Sequence, residues 1–258
     1  MNNIMFSCSA LAGTNKVGTL KQLDNGYYRM IVGALNMFNS AGQFYTYEEA
    51  KTVFEESGAL QRRVGRGALR GEYGHPRQGN MTDQQFARRV MDIDEKSVAC
   101  HHRKIELVFD EQHDERGNPV VAIYSEVSPN GPYGSFLAKQ LENPDENVCF
   151  SIRAFTRDYT LMGVKNRALK TVVTFDYVNE PGMSIATKYK NPSLEGFGSS
   201  EKLFTRGTME QALRNAAGAG IAQESTMLTA SELFASMGWS NATALEALIE
   251  KKAPWAGW

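Results

Sequence analysis

The segment Gly71-Glu72-Tyr73-Gly74-His75-Pro76 sets one histidine in a glycine-flanked turn, where its ring has few ways to move and a substrate backbone has room to approach. A histidine held in that way is a candidate general base. Downstream, Val148-Cys149-Phe150-Ser151-Ile152-Arg153 reads as a strand, and because strand side chains alternate between faces, Ser151 and Arg153 point the same way. A serine hydroxyl becomes an effective nucleophile at neutral pH when a neutral imidazole takes its proton and a third group fixes the imidazole tautomer. The two segments together point to serine hydrolysis.

The chain has four histidines. His113 falls in a predicted hairpin turn and is expected to be solvated, which leaves His75, His101 and His102 as bases. His101 and His102 are neighbours on a strand, so at most one of them faces a given site. His75, His101, His102 and Glu72 are all metal-competent, but adjacent histidines lack the spacing of known zinc motifs, and no metal or other cofactor is expected. Arg62, Arg63, Arg66 and Arg70 form a basic cluster that reads as a solvated face.

Bulk properties narrow the field. At 258 residues and 42% hydrophobic content the chain can bury a full core as one sizeable domain, or as one domain plus a tail. The cysteines, Cys8, Cys100 and Cys149, are three in number and lack paired metal-ligand spacing, so a reducing compartment is expected, which here means the cytoplasm. Residues 1–6 carry no basic region, and no segment approaches the roughly 18 apolar residues of a membrane span. A soluble protein without a membrane partner is the expectation. With 28 basic and 29 acidic side chains, electrostatics offers no case for nucleic acid as a main partner.

Several elements must position these residues. Met30-Ile31-Val32-Gly33-Ala34-Leu35 fits a buried strand followed by the loop Asn39-Ser40-Ala41-Gly42. Thr46 and Glu49 have capping-box spacing, which predicts a helix over 47–56. The glycines at 58, 65, 67, 71 and 74 predict irregular backbone leading into His75, and Thr82 with Gln85 predicts a short capped helix burying Phe86 and Val90. Alternation at Ile105, Leu107 and Phe109 predicts a strand paired with 120–127 across the turn 114–118. A helix over 136–141 leads to the strand 148–155, and a further strand over 169–178 places Val172, Thr174 and Asp176 on one face. After Pro181 the composition shifts, so that 1–181 reads as one domain and 182–258 as a separable region. The latter comprises a linker over 182–206 and short helices, one capped by Thr229 and Glu232 and a last one over 242–249.

Four blocks carry a family resemblance: residues 32–42, Leu69-Arg70-Gly71-Glu72-Tyr73-Gly74-His75-Pro76, Phe150-Ser151-Ile152-Arg153 and Thr174-Phe175-Asp176-Tyr177-Val178. Over about residues 28–182 the chain resembles the prohead core proteases of large tailed bacteriophages, which look like relatives of the herpesvirus assembly proteases. The resemblance implies an α+β fold, with a herpesvirus-protease-like β-barrel core of about seven mainly antiparallel strands surrounded by helices, and a helical C-terminal tail. It implies a serine endopeptidase of head morphogenesis, made in the host cytoplasm and acting inside the prohead on scaffold, core and major capsid proteins, and it leaves room for a homo-oligomer. Carried over by position, Ser151 is the nucleophile and His75 the base. The herpesvirus enzymes place a histidine on the strand where this chain offers Asp176, which becomes the third member. His102 and Glu72 stay open as alternatives for that role, and Arg153 is expected to support the oxyanion. The doubled His101-His102 departs from the single histidine of the pattern.

Proteases of this group cut after glutamate preceded two positions earlier by a small or aliphatic residue. Ala222-Gln223-Glu224, Ala230-Ser231-Glu232 and Ala244-Leu245-Glu246 fit, so the region after Pro181 is expected to be a zymogen segment removed by self-cleavage. Glutamate preference calls for a basic pocket, for which Arg62, Arg63 and Arg66 are candidates. Two rival classes remain, a catalytically inactive prohead core or scaffold protein and a metal-dependent hydrolase.

Overall fold

Apolar residues alternating along long segments, punctuated by turn-forming residues, dictate a strand-rich chain in which helices cover what the sheets leave open. The computed structural model describes residues 3–8, 20–188, 200–218 and 235–238. In chain order its elements are β1 (Asn3–Cys8), β2 (Lys21–Gln22), β3 (Tyr28–Leu35), β4 (Met37–Phe38), β5 (Phe44–Tyr45), α1 (Tyr47–Ala50), α2 (Ala59–Gly65), β6 (Arg70–Glu72), α3 (Asp83–Met91), β7 (Val98–His113), β8 (Pro119–Pro129), α4 (Gly134–Glu142), β9 (Cys149–Leu161), β10 (Val164–Val178), β11 (Ser200–Thr205) and α5 (Arg206–Gly218). The fold is α+β with mainly antiparallel pairing. Among the described residues the strands form two sheets, a six-stranded one in the order β11-β1-β9-β10-β5-β4 and a five-stranded one in the order β2-β3-β8-β7-β6. No helix among the described residues is long and apolar enough to cross a membrane.

The sheets meet where β6 runs beside β10 and where β3 packs on β9. Tyr73, just past β6, bridges Tyr177 of β10 in parallel, and the next amide, Gly74 N–H, donates to the Tyr177 carbonyl at 2.7 Å. On the other side Gly33 of β3 lets Ile152 of β9 come close, since a Cβ at that position would stand 2.6 Å from Ile152 Cδ1. One core lies between the sheets and includes Met30, Val32, Leu35, Ile123, Phe150, Phe175 and Tyr177. A second lies on the far face of β9 and β10, where Phe155 and Val173 meet Phe86 and Val90 of α3, Phe204 of β11 and Met209 of α5. Strands covered on both faces read as continuous apolar runs, which explains the nearly unbroken burial of β9 over 149–156 and of β10 over 166–178.

Local chemistry sets the boundaries. The β7–β8 hairpin closes on Asp114, whose Oδ1 accepts the amides of Arg116 at 2.9 Å and Asn118 at 2.8 Å, with Gly117 at φ +81°. The capping box of α3 is complete, with Gln85 N–H donating to Thr82 Oγ1 and Thr82 N–H to Gln85 Oε1.

Four expectations are corrected. The helix expected over 47–56 is a single α turn followed by a 3₁₀ turn over Lys51–Phe54, where β-branched Thr52 and Val53 weaken an α-helix. The glycine-dense stretch before His75 is not irregular throughout, because Gly58 caps α2 and Gly67, at φ +66°, follows its end. Val172 turns away from Asp176: it pairs with Ala154 while Thr174 pairs with Arg153, so Val173 is an inserted residue that flips the alternation. Finally, 200–205 is not linker but β11, which pairs along the whole of β1. Of the helix expected behind Thr229 only residues 235–238 are described, with Ala235 and Ser236 helical, and the helix expected over 242–249 lies outside the described residues.

Candidate functional site

The face that Ser151 and Arg153 share on β9 is continued on β10 by their cross-strand partners, Asp176 and Thr174 respectively. Directly opposed residues of an antiparallel pair hold their Cβ atoms about 5 Å apart, so Ser151 and Asp176 are side-chain neighbours. Ser151 is 5% exposed and lines a small cleft with Asn39, Tyr45, Ile152, Gly182 and Met183.

The glycine hexamer brings His75 to the same place. β6 runs so close to β10 that a Cβ on Gly71 would lie 2.2 Å from the Phe175 carbonyl oxygen and 2.7 Å from Cys100 Sγ. That proximity lets Glu72 N–H donate to Asp176 Oδ1 at 3.0 Å. Gly74, at φ +76°, then turns the chain back, a conformation that favours glycine. His75 returns over β10, where its Nδ1 lies 2.7 Å from Asp176 Oδ2 with the ring 5% exposed. Since a carboxylate only accepts, Nδ1 carries the proton, and in the neutral ring Nε2 is then the acceptor.

Arg153 is fully buried behind Asp176. Its Nε donates to Oδ2 at 2.8 Å and its Nη2 to Oδ1 at 2.7 Å. Nη1 donates to the Asp92 carbonyl at 2.9 Å and to Glu72 Oε1 at 3.3 Å, and Nη2 also reaches Glu72 Oε2 at 3.2 Å. A guanidinium has five N–H groups, and Arg153 directs all of them at Asp176, Glu72 and the Asp92 carbonyl. No N–H of Arg153 is left to meet an oxyanion directly, so of the expected support by contact or through a neighbouring N–H or water only the indirect form fits this geometry, in which Arg153 holds Asp176. Burial alone would push the Asp176 carboxyl up, but the Arg153 charge and the hydrogen bonds from His75 and Arg153 hold it well below the usual carboxylate range.

Glu72, 1% exposed, is fully engaged on its other side. Arg89 of α3 donates to both of its oxygens, Nη1 to Oε1 at 3.0 Å and Nη2 to Oε2 at 2.5 Å, and Asp94 N–H adds a bond to Oε1 at 2.8 Å. The carboxylate that meets the His75 ring is Asp176. Arg89 was not singled out from sequence, although a signal exists: in a helix, residue 89 shares the stripe of Phe86 and Val90, and an arginine on a buried stripe calls for an acidic partner.

Strand alternation separates the two adjacent histidines. His101 is half-buried, bonded at Nδ1 to the Tyr27 hydroxyl at 2.9 Å and at Nε2 to the Gly67 carbonyl at 3.0 Å. His102 is fully buried, bonded at Nδ1 to Ser125 Oγ at 2.8 Å and at Nε2 to the Phe175 carbonyl at 3.0 Å. The carbonyl must accept, so His102 Nε2 carries a proton and Nδ1 accepts from Ser125, which is the neutral ring. His102 thus supports the backbone beside Asp176. Glu72, His75, His101 and His102 are directed to different partners, and among the described residues no group of three or more His, Cys, Asp or Glu could hold a metal ion. Arg63 is likewise committed, donating to the carbonyls of Val172 and Val173 from a buried position, which removes it as a pocket-lining cation.

Burial lowers the His102 pKa from 6.5 to about 4, against the opposing effect of the Phe175 hydrogen bond. The unfolded chain therefore binds a proton that the folded chain refuses between those values. Stability is expected to be complete above pH 6.5 and to fall toward pH 4, by about 3 kcal/mol from this residue. Thermal unfolding midpoints measured from pH 7.5 to 4.5 check it, and a flat profile across that window would contradict it.

The peptidase S80 family model matches residues 6–233 of this chain. Over 218 residues the chain is 33% identical to the capsid maturation protease of Pseudomonas phage phiKZ, covering 83% of this chain and 79% of that protein. Among solved structures it is similar to the capsid assembly protease of bacteriophage T4, with a TM-score of 0.39 and 13% identity over 69% of this chain and 97% of that one. With a family match across nearly its whole length and a relative one-third identical over most of both proteins, the chain belongs to the peptidase S80 family.

Proposed function

We propose that this protein is a serine endopeptidase of phage head assembly, with Ser151 as nucleophile, His75 as general base and Asp176 as the residue that orients it. The observation that carries the reading is the buried 2.7 Å bond from His75 Nδ1 to Asp176 Oδ2, with Ser151 directly across the β9–β10 pair from that aspartate. With Nδ1–H held by Asp176, Nε2 takes the proton as Ser151 Oγ attacks the scissile carbonyl. It then gives that proton to the leaving amine, and the acyl-enzyme is hydrolysed by water activated in the same way. Asp176 stabilises the imidazolium without becoming protonated, and its depressed carboxyl pKa suits that task.

The name of the phiKZ relative supports capsid maturation as the setting, with scaffold, core and capsid proteins as substrates inside the assembling head. The same reading takes the core to be related to the herpesvirus-protease barrel. It takes cleavage to follow glutamate in small-x-Glu motifs, including those ending at Glu224, Glu232 and Glu246, all outside the described residues. Phe204, Met209 and Ala212 share a core with Phe155 and Val173. Cutting at any of the three glutamates leaves β11 and α5 attached, so the removable tail begins beyond α5. Full-length protein incubated and weighed by intact mass is expected to yield fragments ending at these glutamates. Ends at other residue types would refute the specificity, and no fragments at all from a folded chain would refute the peptidase.

A further inference from the structure

Behind Asp176 the buried charges alternate in sign along a continuous line. Asp176 is bidentate on Arg153, Arg153 also meets Glu72, and Glu72 is bidentate on Arg89, whose side chain, 23% exposed, ends the line near the surface of α3. The Asp176 oxygens accept from His75 Nδ1, Arg153 Nε, Arg153 Nη2 and Glu72 N–H, which occupies the lone-pair positions of a carboxylate and forbids its rotation. Taken alone, an Arg153–Asp176 pair is electrically neutral and offers little net field to an imidazolium forming at His75. Glu72 places a second negative charge against Arg153, and Arg89 offsets part of that charge from outside. Desolvating four full charges costs more than apolar packing of the same volume, so a line of them leading to one carboxylate is poor scaffolding and good tuning.

We propose that Glu72 and Arg89 are positioning residues of the peptidase, acting through Arg153 to hold Asp176 in one orientation and to set the negative charge it presents to His75. This rests on Ser151, His75 and Asp176 being the catalytic triad. Arg153 from β9 and Glu72 from β6 face Asp176, which holds His75, and Arg89 of α3 lies one link farther out, on Glu72. From β7 come Cys100 and His102, both neutral near pH 7 because burial pushes the thiol up and the imidazole down. The tunable charges are therefore those of the line itself.

A negative charge near His75 favours the imidazolium, so removing one lowers the pH at which the base becomes protonated, and removing a positive charge raises it. The test is the pH dependence of kcat/KM for trans cleavage of the full-length Ser151→Ala chain, by wild type, Glu72→Gln and Arg89→Gln. The acid limb is expected to move down by about one pH unit in Glu72→Gln and up by about half a unit in Arg89→Gln. The kcat of Glu72→Gln is expected to fall about tenfold or more while KM changes little, and Glu72→Asp is expected to restore the wild-type limb in part. Mere loosening of the fold would not move the limbs in opposite directions. Limbs that coincide with wild type, or that move together, overturn the proposal while the triad stands. A folded wild type that cleaves nothing overturns both. Should Glu72→Gln fail to fold, Arg89→Gln decides alone, because its side chain reaches the surface.

Discussion

Ser151→Ala is expected to end proteolysis while the protein keeps its fold. The substitution removes one oxygen from a residue that is 5% exposed and leaves Phe150 and Ile152 in their places beneath the inter-sheet core. Without that oxygen there is no atom to form the acyl-enzyme, and the rate is expected to drop about 10⁶-fold, the scale seen when a triad nucleophile is removed. A time course by intact mass at equal concentration, with an unchanged unfolding midpoint as the control for folding, checks it. Cleavage by Ser151→Ala at the wild-type rate would leave the serine without a role.

Asp176→Asn is the second large effect, and it has two parts. An amide presents one N–H₂ group where a carboxylate presents oxygen. Arg153 and His75 donate to both Asp176 oxygens, so whichever way the amide turns, two donors meet. The His75 ring then loses its fixed tautomer, and the rate is expected to fall about 10⁴-fold. Arg153, fully buried, keeps only Glu72 as a charge partner, and breaking such a buried pair costs about 3–5 kcal/mol. Chemical denaturation and single-turnover cleavage of the same preparation separate the two parts. Full activity in a destabilised variant would remove Asp176 from catalysis while leaving it in the structure.

Much of the site was legible because period-2 alternation and glycine placement are local properties. Ser151 with Arg153 on one face, His75 in a glycine turn and the split between His101 and His102 all follow from them. The reading of β10 failed at Val172 because one inserted residue, Val173, reverses the alternation, and a bulge leaves no mark in an apolar run. Arg153 was legible as a site residue but not in its contacts, since its partners Glu72 and Asp176 lie far from it along the chain. Arg89 escaped for the same reason, its salt bridge to Glu72 depending on how α3 docks rather than on the helix itself. β11 was hidden because Ser200-Glu201-Lys202-Leu203-Phe204-Thr205 has little intrinsic strand preference. Its pairing with β1, at the other end of the chain, defines it.

The central claim, that Ser151 is a nucleophile activated by His75 and Asp176, is tested most directly by covalent capture. Wild-type protein treated with a fluorophosphonate, digested and mapped by mass is expected to carry one adduct, on Ser151, with a labelling rate that collapses in His75→Ala and falls strongly in Asp176→Asn. An adduct on a different serine, or labelling of Ser151 at an undiminished rate without His75, would contradict the account.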